Sequence, residues 1–260
     1  MIMARSAHYP GPVRILILGG TSEARELAAQ LTAAGTDVIS SLAGRVSAPR
    51  LPAGQIRIGG FGGADGLADY LKAEGITRVI DATHPFAATI TANAATAATT
   101  AGVPLLVLRR PAWHADPSWD TVPDIGAAAQ AVRTWPGDTV FLTTGRRDLA
   151  VFAADDKHQF LVRTVDPPDG PAPPRMTLIL DRGPYTVESE TRLMREHGIS
   201  LLVTKNSGGP MTEAKLHAAR DLDVHVVMVE RPPLPPGTAV VTATVAEAAR
   251  WAVSPGSGAA

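Results

Sequence analysis

Apolar positions in this chain fall into short unbroken runs, separated by stretches in which they recur every three or four residues. The run VRILIL (13–18) predicts a buried strand. SEARELAAQLTAAG, with Leu27, Leu31 and alanines on one face and Gly35 at its end, predicts the amphipathic helix that follows. TDVISSLAG and QIRIG predict two strands, ADGLADYLKAEG a helix, ITRVIDAT a strand, FAATITANAATAATTAG a helix and PLLVLRR a strand. The texture changes at RPAWHADPSWD, an aromatic, proline-containing connector, and the alternation then resumes. DTVFLTTG, QFLVRTV and MTLILDRG predict strands, TVESETRLMREHG a helix, ISLLVTKNSGG a strand, TEAKLHAARDL a helix, VHVVMVE a strand and VAEAARWAV a helix. The loop DPPDGPAPP holds five prolines in nine positions, which keeps it extended and out of any central strand.

Apolar strands alternating with helices require parallel sheets covered on both faces. The expected fold is therefore α/β: two Rossmann-like domains, mostly parallel sheets with helices on both faces, and a ligand cleft between them. The boundary is expected near Pro111. Residues 1–111 read as a dinucleotide-binding domain and 112–260 as a domain contributing to substrate binding.

Composition narrows this picture. A chain of 260 residues with formal net charge −1 has no overall basic field, so neither nucleic acid nor a membrane surface is an expected partner. The absence of cysteine removes disulfides, thiolate nucleophiles and thiolate metal sites. The seven histidines form no His-x-His or His-x-x-x-His pair, and no metal site is expected. MIMARSAHYPGP lacks the apolar core of a signal peptide, so a soluble cytoplasmic protein is expected. Residues 86–108 are uncharged over 23 positions, near bilayer length, but threonines dilute them and Gly102-Val103-Pro104 divides them into a helix and a strand.

Candidate chemistry lies at the strand ends. The first strand stops at Gly19-Gly20-Thr21-Ser22-Glu23, where only the first glycine of the dinucleotide fingerprint falls in place. Two readings stand: a capped strand-to-helix turn, or a phosphate cradle of bare amides with Thr21 and Ser22 as hydroxyl donors. About 20 residues on, where an acid would hold the ribose of NAD, stand Ser40, Ser41 and then Arg45. A hydroxyl pair and an arginine suit a 2′-phosphate, making NADPH the expected cofactor; an ordinary surface arginine is the alternative. In DATHPFA, Thr83 and His84 are placed to meet a nicotinamide or its ribose, with Pro85 opening the next helix; a capping role for His84 is the alternative. In the second half, TTGRRDL, DRGPYTVESE and TKNSGG set Arg146, Arg147, Arg182 and Lys205 beside glycines and hydroxyls. Each is by itself compatible with a solvated turn; together they read as a cationic rim for a polycarboxylate or polyphosphate.

In order, and over nearly the whole chain, ILILGGTSEARELA, SLAGR, DATHPFA, TTGRRDL, RGPY and VTKNSGG resemble the precorrin-6A reductase family of cobalamin biosynthesis. That resemblance implies a two-domain oxidoreductase that reduces one double bond of a tetrapyrrole, the precorrin-6A macrocycle, with NADPH to a dihydro precorrin (precorrin-6B). It implies cofactor contacts at Gly19, Gly20, Thr21, Ser22, Glu23, Ser40, Ser41, Arg45, Thr83, His84 and Pro85. Arg146, Arg147, Arg182, Lys205, Asn206, Ser207 and Gly208 fall to the acid-bearing macrocycle, with the lysine loop alternatively reaching the cofactor phosphates. His84 and Tyr185 are the candidate proton donors, and water is the alternative. None of the three tyrosines is followed four residues later by lysine, which sets aside Tyr-x-x-x-Lys dehydrogenase chemistry. A nucleotide-sensing regulator that binds NADP without turnover, and a small-molecule transferase on a similar fold, are the rival classes.

Overall fold

The computed structural model describes residues 13–44, 50–236, 238 and 240–254. Its first half runs β1 (Arg14–Leu18), α1 (Ser22–Ala33), β2 (Asp37–Leu42), β3 (Gln55–Ile58), α2 (Ala64–Ala73), β4 (Arg78–Asp81), α3 (Ala88–Ala101) and β5 (Leu105–Leu108). Then come β6 (Asp120–Val122), α4 (Ile125–Thr134), β7 (Thr139–Leu142), a 3-10 segment (Arg146–Phe152), β8 (Gln159–Thr164) and β9 (Met176–Leu180). The chain closes with α5 (Val187–Glu196), β10 (Leu201–Lys205), α6 (Ala214–Asp221), β11 (His225–Val229), β12 (Val240–Thr242) and α7 (Val245–Val253).

The strands form two six-stranded sheets, ordered β3-β2-β1-β4-β5-β12 and β9-β8-β7-β10-β11-β6. Every strand pairing is parallel, so the α/β expectation of two Rossmann-like sheets holds. The first order is that of the doubly wound dinucleotide fold, in which the winding reverses between the first and fourth strands. The second sheet repeats it, with the reversal between β7 and β10.

The expected division at Pro111 needs one correction. The chain divides into two compact units, 1–109 with 233–260 and 110–232, so the last stretch rejoins the first unit. The cause is strand pairing. Val240–Thr242 of β12 lie beside Leu106–Leu108 of β5 and complete the first sheet. Reciprocally, β6, which follows β5 in sequence, adds to β11 at the edge of the second sheet. Each sixth strand thus comes from chain that has just left the other unit.

Side-chain alternation along β1 explains the two-sided burial. Ile15 and Ile17 face a cluster with Leu27 and Leu31 of α1 and Val245, Ala248 and Ala252 of α7. Leu16 and Leu18 face Leu67 and Leu71 of α2 and Ala94 and Ala97 of α3. In the second unit Phe141, Leu161 and Leu202 pack with Met194 of α5 and Leu216 of α6. Residues 86–108 resolve as α3, capped by Gly102 in the left-handed conformation, and the buried β5. Among the described residues no helix is long and apolar enough to cross a membrane.

β6, α4 and β12 are elements that the hydrophobic pattern does not predict. β6 and β12 have three residues each, too few to show a period. α4 is built largely of alanine, yet Asp124 caps it by accepting from the Ala127 N–H at 2.8 Å.

The returning helix is held by Arg78 at the start of β4. Its buried guanidinium donates to the carbonyl oxygens of Trp251 and Ser254 at the end of α7. It also lies 5.3 Å from the centre of the Trp251 ring. A cation on the last carbonyls of a helix satisfies acceptors that have no partner within it. Arg78→Met keeps the stem and removes these bonds. The expected loss is about 2–3 kcal/mol, read from the denaturant midpoint in chemical unfolding.

Candidate functional site

In open α/β sheets ligands sit beyond the carboxyl ends of the strands, where the winding reverses. In the first unit that point lies between β1 and β4, and one side chain joins them. The Thr21 hydroxyl donates to the Ala82 carbonyl at 2.8 Å and accepts from the Ala24 N–H at 3.1 Å. Its single proton is spent on the fold, so it caps α1 and pins the glycine turn to the end of β4. Gly19 donates to the Ser41 carbonyl at 2.9 Å, tying the same turn to β2. Gly20 has φ 117, which side chains avoid, and, its chain neighbours aside, no atom of the described residues lies within 4 Å of where a Cβ would stand. Open space therefore borders bare backbone at the positive end of a 12-residue helix, the arrangement an anion requires. The Ser22 hydroxyl donates to the Glu23 carboxylate at 3.0 Å, which leaves the first-turn amides as the anion's natural partners.

Ser40 and Ser41, expected as a hydroxyl pair for a 2′-phosphate, lie inside the sheet. Both are buried within β2, and the Ser40 hydroxyl has no hydrogen-bond partner among the described residues. Arg45 lies outside the described residues. Across the reversal, Thr83 donates to Asp81 from its N–H at 3.0 Å and from its hydroxyl at 2.6 Å. His84 is exposed, with Nδ1 accepting from the Phe86 N–H at 3.3 Å. Pro85 does not open α3, contrary to expectation. It sits inside a turn closed by Ala87 N–H to the His84 carbonyl at 2.7 Å, and the helix begins at Ala88. Proline's fixed φ serves a turn's second position as well as a helix's first.

In the second unit the expected cations occupy the carboxyl edge but are not equivalent. Arg146 pairs with Asp169 at 3.0 Å and donates to the Pro167 carbonyl at 3.1 Å. Lys205 pairs with Asp148 at 2.6 Å across the β7–β10 reversal. Arg147 is exposed and Arg182 half-buried, and neither guanidinium has an ion-pair partner among the described residues. The uncompensated charge of this edge is thus carried by Arg147 and Arg182.

The loop after β10 is committed to the fold. Asn206 accepts from the Trp113 N–H at 2.8 Å through Oδ1 and donates to the Trp113 carbonyl at 3.1 Å, as a ladder residue would. Arg110 donates to the Ser207 carbonyl at 2.8 Å. Arg231 donates to the Asn206, Arg110 and Pro111 carbonyls at 2.6, 2.7 and 2.9 Å. Gly208 (φ 67) packs so closely that a Cβ would stand 2.0 Å from the Pro111 carbonyl oxygen. The two segments that pass between units, near residues 110 and 231, are therefore clasped to this loop.

Tyr185 is mounted on buried charge. Arg163 forks onto Glu190 at 2.5 and 2.9 Å, and its guanidinium carbon lies 3.7 Å from the Tyr185 ring centre. Burial raises the Tyr185 phenol above its ordinary range while the Arg163 charge opposes that rise, so at neutral pH the phenol keeps its proton. Behind it, burial pushes Lys215 down to about 7, with Arg163 adding to the fall and Glu190 opposing it. This lysine donates to the Thr212 carbonyl at 2.8 Å and contributes nothing to the rim.

Sequence reasoning missed the Arg110, Arg231 and Trp113 clasp because its bonds join side chains to backbone groups, most of them more than 90 residues apart. It also passed over Asp81, the buried acid that ends β4 at the reversal. The spacing Asp81-x-Thr83, an Asx turn at a strand end, was the available signal. Among the described residues no group of three or more His, Cys, Asp or Glu is placed to hold a metal ion.

Residues 14–253 match the family described as precorrin-6x reductase CbiJ/CobK. A precorrin-6A reductase of Rhodococcus erythropolis is 55% identical over 241 residues, covering 92% of this chain and 96% of that protein. One from Mycobacterium tuberculosis strain H37Rv is 52% identical over 239 residues, with the same two coverages, 92% and 96%. The solved structure of a CobK precorrin-6A reductase superposes with a TM-score of 0.84 at 43% identity, covering 92% of this chain and 95% of that one.

The clasp is testable by itself. Asn206→Ala leaves the Trp113 N–H and carbonyl unpaired and is expected to cost about 2–3 kcal/mol in urea unfolding. An unchanged midpoint would mean that the Asn206 amide carries no structural load.

Proposed function

The chain belongs to the precorrin-6x reductase CbiJ/CobK family, and on that premise we propose that it reduces one double bond of precorrin-6A with NADPH, giving a dihydro precorrin in cobalamin biosynthesis. The observation that carries the placement of the cofactor is the β1–β4 reversal of the first unit. There the open, positive-φ Gly20 stands at the start of α1, and the strands on either side of β1 carry buried polar atoms, Ser40 Oγ on β2 and Asp81 Oδ2 on β4, without hydrogen-bond partners among the described residues. Such a set fits a nucleotide, which brings both an anion for the amides and donors for the orphaned oxygens.

When bound, the nicotinamide supplies the hydride. The chain's own part is to hold the reactants. The turn amides around Gly20 take the pyrophosphate, with Thr21 fixing the turn rather than touching the ligand. Arg45 and the end of β2 take the 2′-phosphate that distinguishes NADPH from NADH. Thr83 and His84 border the pyridine half. Arg147 and Arg182, cations at the carboxyl edge of the second unit without an ion-pair partner among the described residues, grip acetate and propionate groups of the macrocycle through charge-assisted hydrogen bonds. Lys205 and Arg146 serve mainly to neutralise Asp148 and Asp169. A proton must also reach the reduced ring, and the exposed His84 is better suited to pass it than Tyr185, whose phenol burial makes a weaker acid.

The purified protein, mixed with precorrin-6A and NADPH, is expected to consume one nicotinamide per macrocycle reduced, followed at the reduced-pyridine absorbance. Arg147→Ala and Arg182→Ala are each expected to raise KM for the macrocycle by roughly tenfold or more, with NADPH affinity unchanged. NADPH that binds but is never oxidised would contradict a reductase. Unchanged KM in both variants would remove these arginines from the substrate.

A further inference from the structure

The end of β4 carries a buried acid whose partner on the bound nucleotide the proposed seating does not name. Asp81 is 1% exposed and stands in register with Leu18, the last residue of β1. Its Oδ1 is fully engaged by the N–H and hydroxyl of Thr83. That turn places the carboxylate at the end of the strand, beside the turn that Thr21 pins to Ala82. Its Oδ2 is buried and has no hydrogen-bond partner among the described residues. Arg109, after β5, senses the Asp81 charge, but no hydrogen bond reaches Oδ2. A buried carboxylate oxygen without a donor is unfavourable in the free protein and gains most from a ligand N–H.

We infer that Asp81 is a specificity residue for the pyridine ring: Oδ2 accepts one N–H of the nicotinamide carboxamide. This rests on the proposed seating of NADPH at the β1–β4 reversal. In that fold the adenosine half lies over the first, second and third strands, so the nicotinamide half crosses to the β4 side. The phosphates carry no donor and are repelled by a carboxylate. The carboxamide is the one N–H donor on the pyridine half. The rival donors are a ribose hydroxyl and an ordered water.

The test titrates the full chain with NADPH and with its reduced 3-acetylpyridine analogue, in which a methyl replaces the amide nitrogen, following binding by calorimetry. Wild type is expected to bind the analogue roughly 10- to 100-fold more weakly than NADPH. Asp81→Asn keeps the shape but offers a single acceptor, which Thr83 takes. This variant is expected to lose a similar factor for NADPH and to stop distinguishing the two nucleotides. If Asp81→Asn does not fold, the wild-type comparison alone decides. Equal wild-type affinity for both nucleotides overturns the assignment, as does an equal loss of both in Asp81→Asn, which would give Oδ2 to the ribose or to water. Failure of wild type to bind NADPH at all would overturn the cofactor reading itself, and this assignment with it.

Discussion

One side-chain hydroxyl ties β1, α1 and β4 together at the carboxyl end of the first unit's sheet. Thr21 is simultaneously the cap of α1 and the bridge from β1 to β4, at the place where strand order reverses. Parallel strands bring all their carboxyl ends to one edge, and the reversal separates the helices that would otherwise cover it. Without that bridge the glycine turn would be held to the sheet by the Gly19 to Ser41 bond but not to the end of β4. With it, Gly20 can hold a positive φ beside open space, and bare amides face outward at fixed positions. Preorganisation of this kind lets the backbone serve as a binding group without an ordering cost on ligand entry.

The second unit repeats the topology but spends its edge differently. Where the first unit leaves backbone bare, the second closes its reversal with the Lys205–Asp148 pair and binds the following loop to the inter-unit segments through Asn206, Arg110 and Arg231. Two similar sheets thereby present unlike edges, one with open amides and one with the arginines Arg147 and Arg182. The placement of β12 makes the first sheet depend on chain that follows the second unit, so the first unit cannot be excised as one continuous segment with its full sheet, whereas 110–232 carries all six strands of the second.

Much of this was legible in the sequence. The apolar runs of β1, β4, β5, β7, β10 and β11 identify themselves because strands buried on both faces cannot alternate. The glycine turn, DATHPFA and the three later clusters all lie at carboxyl edges as expected. The exchange of β6 and β12 was not legible, because pairing partners of three-residue strands leave no local mark. The charge state of the rim was hidden for a similar reason. That Arg146 and Lys205 are neutralised while Arg147 and Arg182 are not depends on Asp169 and Asp148, and residue composition alone gives all four cations the same weight. Thr21 was read both as a helix cap and as a ligand contact because a hydroxyl at a helix start suits either role; its bond to the carbonyl of Ala82, 61 residues away, had no mark in the sequence.

The most direct test of the account is amide hydrogen exchange with and without NADPH. Protection is expected at residues 18–24 and 81–87, the two sides of the β1–β4 reversal, with no change at 143–149. Protection confined to 143–149 and 205–209 would place the nucleotide on the second unit and contradict the account.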